Sequence, residues 1–258
     1  MRNNSTWAPS APSPIAWATN AWSVWSVLLV VLGVAFCFII VPAAYVVAGS
    51  FAGFVNLAHL SVEQTLIAQA VGYVPLGIFL LAVLPRISKA SLYELGLRAP
   101  TARDIGIGLG GIAAMWVVVT FVGTALTNLS HKHEAEAAIA LLRQLHTPIQ
   151  KAFFAFIAIA LAPMLEELTF RVFLFNAFTR YVPFGWAAAL SGVIFGIVHA
   201  EPMKDYAGQL LTVSISLALG GVILAYVYSR TRCYWTSVVT HAGFNATTVF
   251  AVLFFHFK

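Results

Sequence analysis

Three ionisable side chains, Glu166, Glu167 and Arg171, lie inside an apolar run that extends from about Ile149 to Phe178. An ionised side chain near the middle of a bilayer costs on the order of 2.5–3.5 kcal/mol on insertion scales, so charges there are typical of functional sites. Residues four apart share a helix face, so we expect Glu167 and Arg171 to pair. Glu166 then faces another neighbour, and a glutamate in a dry pocket suits general-base chemistry. The alternative is a purely structural ion pair.

Two further apolar segments carry polar side chains that could complete such a site. His199 ends one of them and shares a helix face with Phe195, four residues earlier. A single histidine at a helix end is more often an ordinary interfacial side chain. His241 and Asn245 are also four apart, and both can donate hydrogen bonds, which a developing oxyanion requires. Hydrogen bonding between helices is the alternative for this second pair.

The composition is that of an integral membrane protein. Hydrophobic residues make up 60% of the chain and charged residues 9%, and the mean hydropathy is +0.88, whereas soluble domains contain about 25% charged residues. Apolar stretches of about 20 residues predict an all-α bundle of seven spans. The predicted spans are Trp22–Ala48, Gln64–Leu84, Asp104–Thr127, Ile149–Phe178, Pro183–Ala200, Tyr206–Ser229 and Tyr234–Phe257. Because Pro163 can split its helix, eight spans are the alternative.

The spans leave little of the 258 residues for anything else. We expect a disordered tail over residues 1–20, which is rich in Ala, Pro and Ser, and one transmembrane domain over residues 21–258. Of the basic side chains between spans, eight lie on the side of the N-terminus and five on the other, which predicts a cytoplasmic N-terminus. The net charge of +5 therefore reflects topology, and we expect no nucleic-acid partner.

The predicted spans also give approximate depths for the candidate residues. Counted from the cytoplasmic helix ends at 1.5 Å per residue, Glu166 lies about 21 Å deep, His199 about 24 Å and His241 about 10 Å. Glu166 and His199 thus reach similar depths. His241 comes out shallower, so its convergence with the other two requires a tilt or a kink.

Three motifs follow one another within 80 residues. They are Glu166-Glu167-x-x-x-Arg171, Phe195-x-x-x-His199 and His241-x-x-x-Asn245. In their order and in the kinds of helices that carry them, they resemble the CAAX prenyl protease and bacteriocin-processing family of intramembrane endopeptidases, also called the type II CAAX or abortive-infection family. The segment Tyr93–Arg98 also looks like the connector of that family, so the resemblance covers about residues 92–247.

The resemblance implies peptide-bond hydrolysis in an intramembrane cavity that opens toward the cytoplasm, without a cofactor. It implies that Glu166, assisted by His199, deprotonates the attacking water, and that His241 and Asn245 stabilise the oxyanion. The supporting residues that it implies are Glu167, Arg171 and Phe195. No covalent intermediate is expected, because no serine or cysteine lies beside these groups as a nucleophile.

Other functions use the same residues. A zinc protease would bind its metal through Glu166 or Glu167 with His199 and His241, although the chain has no His-Glu-x-x-His helix and the resemblance implies a metal-free reaction. An ion-coupled transporter could relay protons through them, although no inverted repeat is visible in the sequence. A non-catalytic scaffold or immunity protein is a further alternative.

The resemblance implies a membrane-associated peptide or lipopeptide substrate. Eukaryotic and archaeal relatives remove the residues that follow a prenylated cysteine, whereas bacterial relatives are associated with peptide maturation, bacteriocin self-immunity and the processing of C-terminal sorting signals. The sequence does not choose between these substrates. Short loops and the lack of a soluble targeting domain favour a prokaryotic plasma membrane, with the endoplasmic reticulum as the alternative.

Overall fold

The computed structural model describes residues 21–130, 137–199 and 210–255, and the regular elements in these ranges are helices. We number them α1 Val24–Phe51, α2 Val62–Ser88, α3 Ala102–Ser130, α4 Ala137–Arg143, α5 Pro148–Thr179, α6 Phe184–Val198, α7 Thr212–Thr231 and α8 Tyr234–Phe255. The expected all-α architecture is therefore confirmed. The tail predicted over residues 1–20 lies outside the described residues, and its disorder stays a prediction.

Among the described residues, six helices are long and apolar enough to cross a membrane: α1, α2, α3, α5, α7 and α8. The span predicted over Pro183–Ala200 corresponds to α6, which has 15 residues. At 1.5 Å per residue α6 is about 22 Å long, less than the roughly 30 Å of a hydrocarbon core. Six of the seven predicted spans are thus present as full-length helices, and the count of seven stays a prediction.

Helix α5 is not split at Pro163, but runs without interruption for 32 residues. A π-helical turn, Ile157–Leu161, ends just before this proline, and in α1 the π-helical turn Phe36–Ile40 ends just before Pro42. Proline has no N–H group and its ring clashes with the carbonyl four residues earlier. The wider π-helical turn relieves this conflict. The eighth span, which depended on a break at Pro163, is not found in α5.

One end of the bundle is held together by contacts between helix termini. The Trp22 N–H donates to the Ile87 carbonyl over 3.0 Å, which ties the start of α1 to the end of α2. The Tyr181 hydroxyl donates to the Trp22 carbonyl and adds the end of α5 to the same group. These three termini therefore lie on one side of the membrane.

The connector between α2 and α3 meets the turn between α7 and α8 at this same end. The Tyr234 N–H donates to the Gly96 carbonyl over 2.8 Å, and Arg98 Nη2 donates to the Thr231 carbonyl over 2.9 Å. Arg98 also pairs with Asp104 at 2.8 Å, and this hydrogen bond raises the pKa of its guanidinium. Gly96 has φ +99°, a conformation that favours glycine.

The basic side chains on these termini and connectors indicate which side of the membrane this end of the bundle faces. They are Arg86, Lys89, Arg98, Arg103, Arg180, Arg230 and Arg232. All of them belong to the end of the bundle that the terminal contacts define. Because cytoplasmic loops are enriched in Lys and Arg, this end corresponds to the predicted cytoplasmic side.

Helices α6 and α7 pack closely through glycine. A Cβ atom on Gly192 of α6 would lie 2.5 Å from the Ala218 carbonyl oxygen of α7, so only glycine allows this approach. The close contact brings α6 and α7 together against α5. The segment Leu168–Phe175 of α5 is buried on every side and belongs to the main hydrophobic cluster. Helix α5 is therefore the central helix of the bundle.

Candidate functional site

The two glutamates lie at a change of helical geometry within α5. They end the short α-helical stretch Ala162–Glu167, and the π-helical segment Leu168–Phe175 follows directly. Segments of π-helix inside α-helices are frequent at functional sites. The Tyr234 hydroxyl of α8 donates to the Met164 carbonyl over 2.7 Å, so α8 holds the turn that presents the glutamates.

Glu167 is completely buried, and its Oε1 atom has two partners. It lies 3.1 Å from Nη1 of Arg171 and 2.9 Å from Nδ1 of His241. The predicted ion pair between Glu167 and Arg171 is therefore present. Because the side chain of Arg171 is also fully buried, the two charges compensate each other inside the bundle.

Arg171 links the glutamate to the packed helices α6 and α7. Its Nη2 atom donates to the Gly221 carbonyl of α7 over 3.2 Å. Its guanidinium carbon lies 4.7 Å from the ring centroid of Phe195 and 5.8 Å from that of Phe170. Desolvated cation–π contacts of this kind favour a buried arginine.

The ring of Phe195 packs against both histidines of the site. Its centroid lies 4.4 Å from that of His199 and 5.6 Å from that of His241. The ring is buried and also makes an edge contact with Phe170. One phenyl ring thus contacts Arg171 and both histidines, as expected of a residue that supports the site.

Glu166 faces both histidines and is more accessible than Glu167. Its side chain is 14% exposed, whereas that of Glu167 is 0% exposed. Its Oε2 atom lies 3.7 Å from Nε2 of His199 and 3.7 Å from Nε2 of His241. These distances exceed those of direct hydrogen bonds and are in the range that a bridging water spans. Side chains from α5, α8 and the end of α6 therefore converge on one point.

The hydrogen bonds of the histidines define their tautomers. Nδ1 of His199 lies 2.6 Å from the Phe195 carbonyl, which can only accept, so this nitrogen carries the hydrogen. Nδ1 of His241 likewise donates to the carboxylate of Glu167. A ring that carries no second proton then presents the lone pair of Nε2 toward Glu166. Three acceptor atoms face one another, an arrangement that a water molecule or an added proton can satisfy.

Asn245 lies one turn after His241 on α8, but its contacts are different. Its Nδ2 atom donates to the Ala158 carbonyl of α5 over 2.8 Å. Among the described residues this is the bond that its amide makes, and it leaves the second amide hydrogen for another acceptor. The structure thus brings Glu166, His199 and His241 together and positions Asn245 beside α5.

The depths expected for Glu166 and His241 differ, yet the structure brings the two side chains together. The count along α8 predicted a shallower position for His241, yet its ring contacts both Glu166 and Glu167. The segment between Glu166 and the cytoplasmic end of α5 includes eight π-helical residues. A π-helix has more residues per turn and a shorter rise per residue, so the α-helical count overestimates the depth of Glu166.

Sequence patterns missed two hydroxyl groups that position α5. Tyr234 starts α8, where a tyrosine is ordinarily an interfacial anchor, yet its hydroxyl bonds α5. The Ser191 hydroxyl of α6 donates to the Phe170 carbonyl over 2.9 Å, within the π-helical segment. The position of Ser191 four residues before Phe195, on the same helix face, is the signal that could have found it.

The candidate ligands of the zinc alternative do not form a metal-binding group. Across residues 21–130, 137–199 and 210–255, no three His, Cys, Asp or Glu side chains have a geometry that would hold a metal ion.

The segment of the chain that contains this site is similar to known proteins. Residues 148–247 match the family described as type II CAAX prenyl endopeptidase Rce1-like. A stretch of 87 residues is 36% identical to a protein of Bacillus subtilis (strain 168) that is named "Putative membrane peptidase YdiL". It covers 34% of this chain and 32% of that protein, so the chain spans about a third of the relative's length. No solved structure matches the chain.

The family match and the site coincide. The motif residues from Glu166 to Asn245 fall within the matched residues 148–247, while the connector Tyr93–Arg98, to which we extended the resemblance, lies outside them. Residues 148–247, which include the candidate site, therefore resemble the Rce1-like type II CAAX prenyl endopeptidase family.

Proposed function

We propose that this protein is an intramembrane endopeptidase in which Glu166 activates a water molecule. One observation carries the proposal: the accessible Glu166 carboxylate lies 3.7 Å from Nε2 of both His199 and His241, while its neighbour Glu167 is fully buried. The match to a peptidase family supports the reaction class. The different surroundings of the two carboxylates support different roles, with Glu166 as the base and Glu167 as a positioning group.

In the first step, water attacks the carbonyl carbon of the peptide bond and its proton passes to Glu166. His199 orients this water through Nε2, since its Nδ1–H group is held by the Phe195 carbonyl. A positioned base of this kind contributes typically 10²–10⁴-fold to the rate. The packing of His199 against the Phe195 ring keeps the imidazole in place.

In the second step, the oxyanion receives hydrogen bonds from α8. Because Glu167 accepts the Nδ1–H of His241, this ring donates from Nε2 when it has taken up a second proton from solvent before the water attacks, and the two carboxylates stabilise that imidazolium. The second amide hydrogen of Asn245 is a further donor. The C–N bond then breaks, and the leaving amine takes the proton from Glu166.

We assign the substrate to membrane-associated peptides cleaved near their C-terminus. Glu166, His241 and Asn245 belong to helices that are long enough to cross a membrane, so the peptide reaches the site from the bilayer or from the cytoplasmic side. Prenylated peptides are the first class to test, because of the family that residues 148–247 match. We place the enzyme in a prokaryotic plasma membrane.

Cleavage of a peptide panel by the purified full chain tests this proposal. The panel contains matched prenylated and unprenylated C-terminal peptides, and the variants are Glu166→Gln and His199→Ala. We expect Glu166→Gln to lose at least about 10²-fold in kcat, because the base is removed without a change in shape. Glu94→Gln, an exposed glutamate on the connector after α2, is the matched control and should cleave like the wild type.

The outcomes separate the mechanisms. Activity that persists with a chelator and falls in both variants supports the glutamate mechanism. Activity that a chelator abolishes and zinc restores would move the assignment to a metalloprotease. Wild-type cleavage that Glu166→Gln leaves intact would contradict the proposal, and a wild type that cleaves no peptide would favour the non-catalytic scaffold.

A further inference from the structure

Helix α2 packs directly against the turn that bears Glu166. A Cβ atom added to Gly77 would lie 3.0 Å from Cδ2 of Leu165, the residue before Glu166. Tyr73 is four residues before Gly77 and therefore shares its helix face. This face of α2 thus presents a tyrosine next to the candidate site, from a part of the chain outside the matched residues 148–247.

The ring of Tyr73 fits between two hydrophobic clusters that both include α5. One contains Leu165 and Leu168, and the other contains Phe154 and Ile157. The Tyr73 ring also meets the Phe38 ring of α1 edge-on, at 5.7 Å between centroids. The ring therefore lies where clusters with side chains from α1, α2 and α5 meet.

The hydroxyl of Tyr73 makes no hydrogen bond with the described residues. The side chain of Tyr73 is half-buried, and a tyrosine with a packed ring usually directs its hydroxyl to a hydrogen-bond partner. Glu166 follows Leu165, the residue of α5 that this face of α2 contacts, and its carboxylate is thus the site acceptor adjoining that contact. The other charged or titratable groups that act on Glu166 are Arg171 on α5, His199 at the end of α6 and His241 on α8.

We infer that the Tyr73 hydroxyl is a further donor of the site, which hydrogen-bonds the Glu166 carboxylate or the water that it holds. The inference rests on the proposed function. The Nε2 lone pair of His199 faces Glu166, so a phenol that can only donate to a carboxylate supplies a donor to these acceptors. Tyr73 is thereby a positioning residue that orients the base for proton transfer.

Removal of the hydroxyl alone gives the kinetic test. For Tyr73→Phe we expect about a tenfold lower kcat with KM changed less than about twofold, since one hydrogen bond to the base is lost. The acidic limb of the pH–rate profile should move to higher pH, because the ionised carboxylate loses a donor. Tyr45→Phe removes a half-buried hydroxyl of α1 that contacts no site residue, and is the matched control.

A second measurement does not depend on cleavage. The full chain carries 3-fluorotyrosine at position 73 or at position 45, and the fluorine NMR spectrum is compared with and without Glu166→Gln. We expect the resonance of position 73 to shift and that of position 45 to stay. An unshifted resonance at position 73, or an unchanged pH–rate profile in Tyr73→Phe, would overturn the inference. A wild type without activity would contradict the proposed function but not this inference. The fluorine shift would still show whether the Tyr73 hydroxyl lies beside Glu166.

Discussion

At the scale of single residues, Glu167 connects the buried guanidinium of Arg171 to the imidazole of His241. Its Oε1 atom contacts both Arg171 and His241. The spacing of four residues between Glu167 and Arg171 predicted their ion pair, because residues four apart lie on the same face of one helix. The bond to His241 could not be predicted, since it joins side chains 74 residues apart on helices whose rotation the sequence does not define.

Glu167→Gln should destabilise the fold as well as abolish activity. The buried Arg171 would lose its counter-charge, and removing one partner of a buried pair costs about 3–5 kcal/mol. Thermal unfolding in detergent measures the loss, with Glu94→Gln as the exposed control. The double variant Glu167→Gln with Arg171→Met should regain stability but not activity, because His241 still lacks its carboxylate. Restored cleavage in the double variant would contradict a positioning role.

At the scale of elements, the site depends on irregular helix geometry. Glu166 and Glu167 end an α-helical stretch between the π-helical segments Ile157–Leu161 and Leu168–Phe175. Hydrophobic patterns predicted the position and the length of α5 well, since burial in a bilayer requires a long apolar run. They could not predict π-helical turns, which depend on how neighbouring helices satisfy the displaced carbonyls, as Ser191 does for Phe170.

Tyr234→Phe should reduce activity more than stability. The variant removes the hydrogen bond from α8 to the Met164 carbonyl and releases the turn that presents Glu166. We expect a loss of about 1 kcal/mol in unfolding free energy and, since small displacements of catalytic groups can cost up to about 10²-fold, a larger effect on kcat. Both are measured against Tyr226→Phe, an exposed tyrosine of α7. Equal kcat in the two variants would show that the hydrogen bond from Tyr234 to Met164 does not position the site.

At the scale of the whole molecule, charge and terminal contacts define the orientation. The basic connectors meet at one end of the bundle through the bonds of Trp22, Gly96 and Arg98. The charge count of the sequence predicted this grouping because it depends only on the order of spans and loops. The span predicted over Pro183–Ala200 is longer than α6, which the structure ends at Val198, directly before His199.

Cysteine labelling tests this orientation. Ala58 on the loop between α1 and α2 and Ala99 on the connector between α2 and α3 are both exposed, and they lie at opposite ends of α2. In a chain whose buried Cys37 and Cys233 are replaced by alanine, a membrane-impermeant maleimide should label Ala58→Cys in intact cells. Ala99→Cys should react only after the cells are opened. The reverse pattern would invert the topology.

The shortness of α6 affects the lipid around it. Trp186, Leu190, Val193 and Ile197 form an exposed apolar stripe along this helix, which therefore faces the bilayer. Because α6 is about 8 Å shorter than a typical hydrocarbon core, the bilayer along this stripe has to thin, at fractions of a kcal/mol per ångström of mismatch. His199 follows the last residue of α6. A membrane-anchored peptide that approaches from this side thus meets a narrower apolar barrier than it does elsewhere around the bundle.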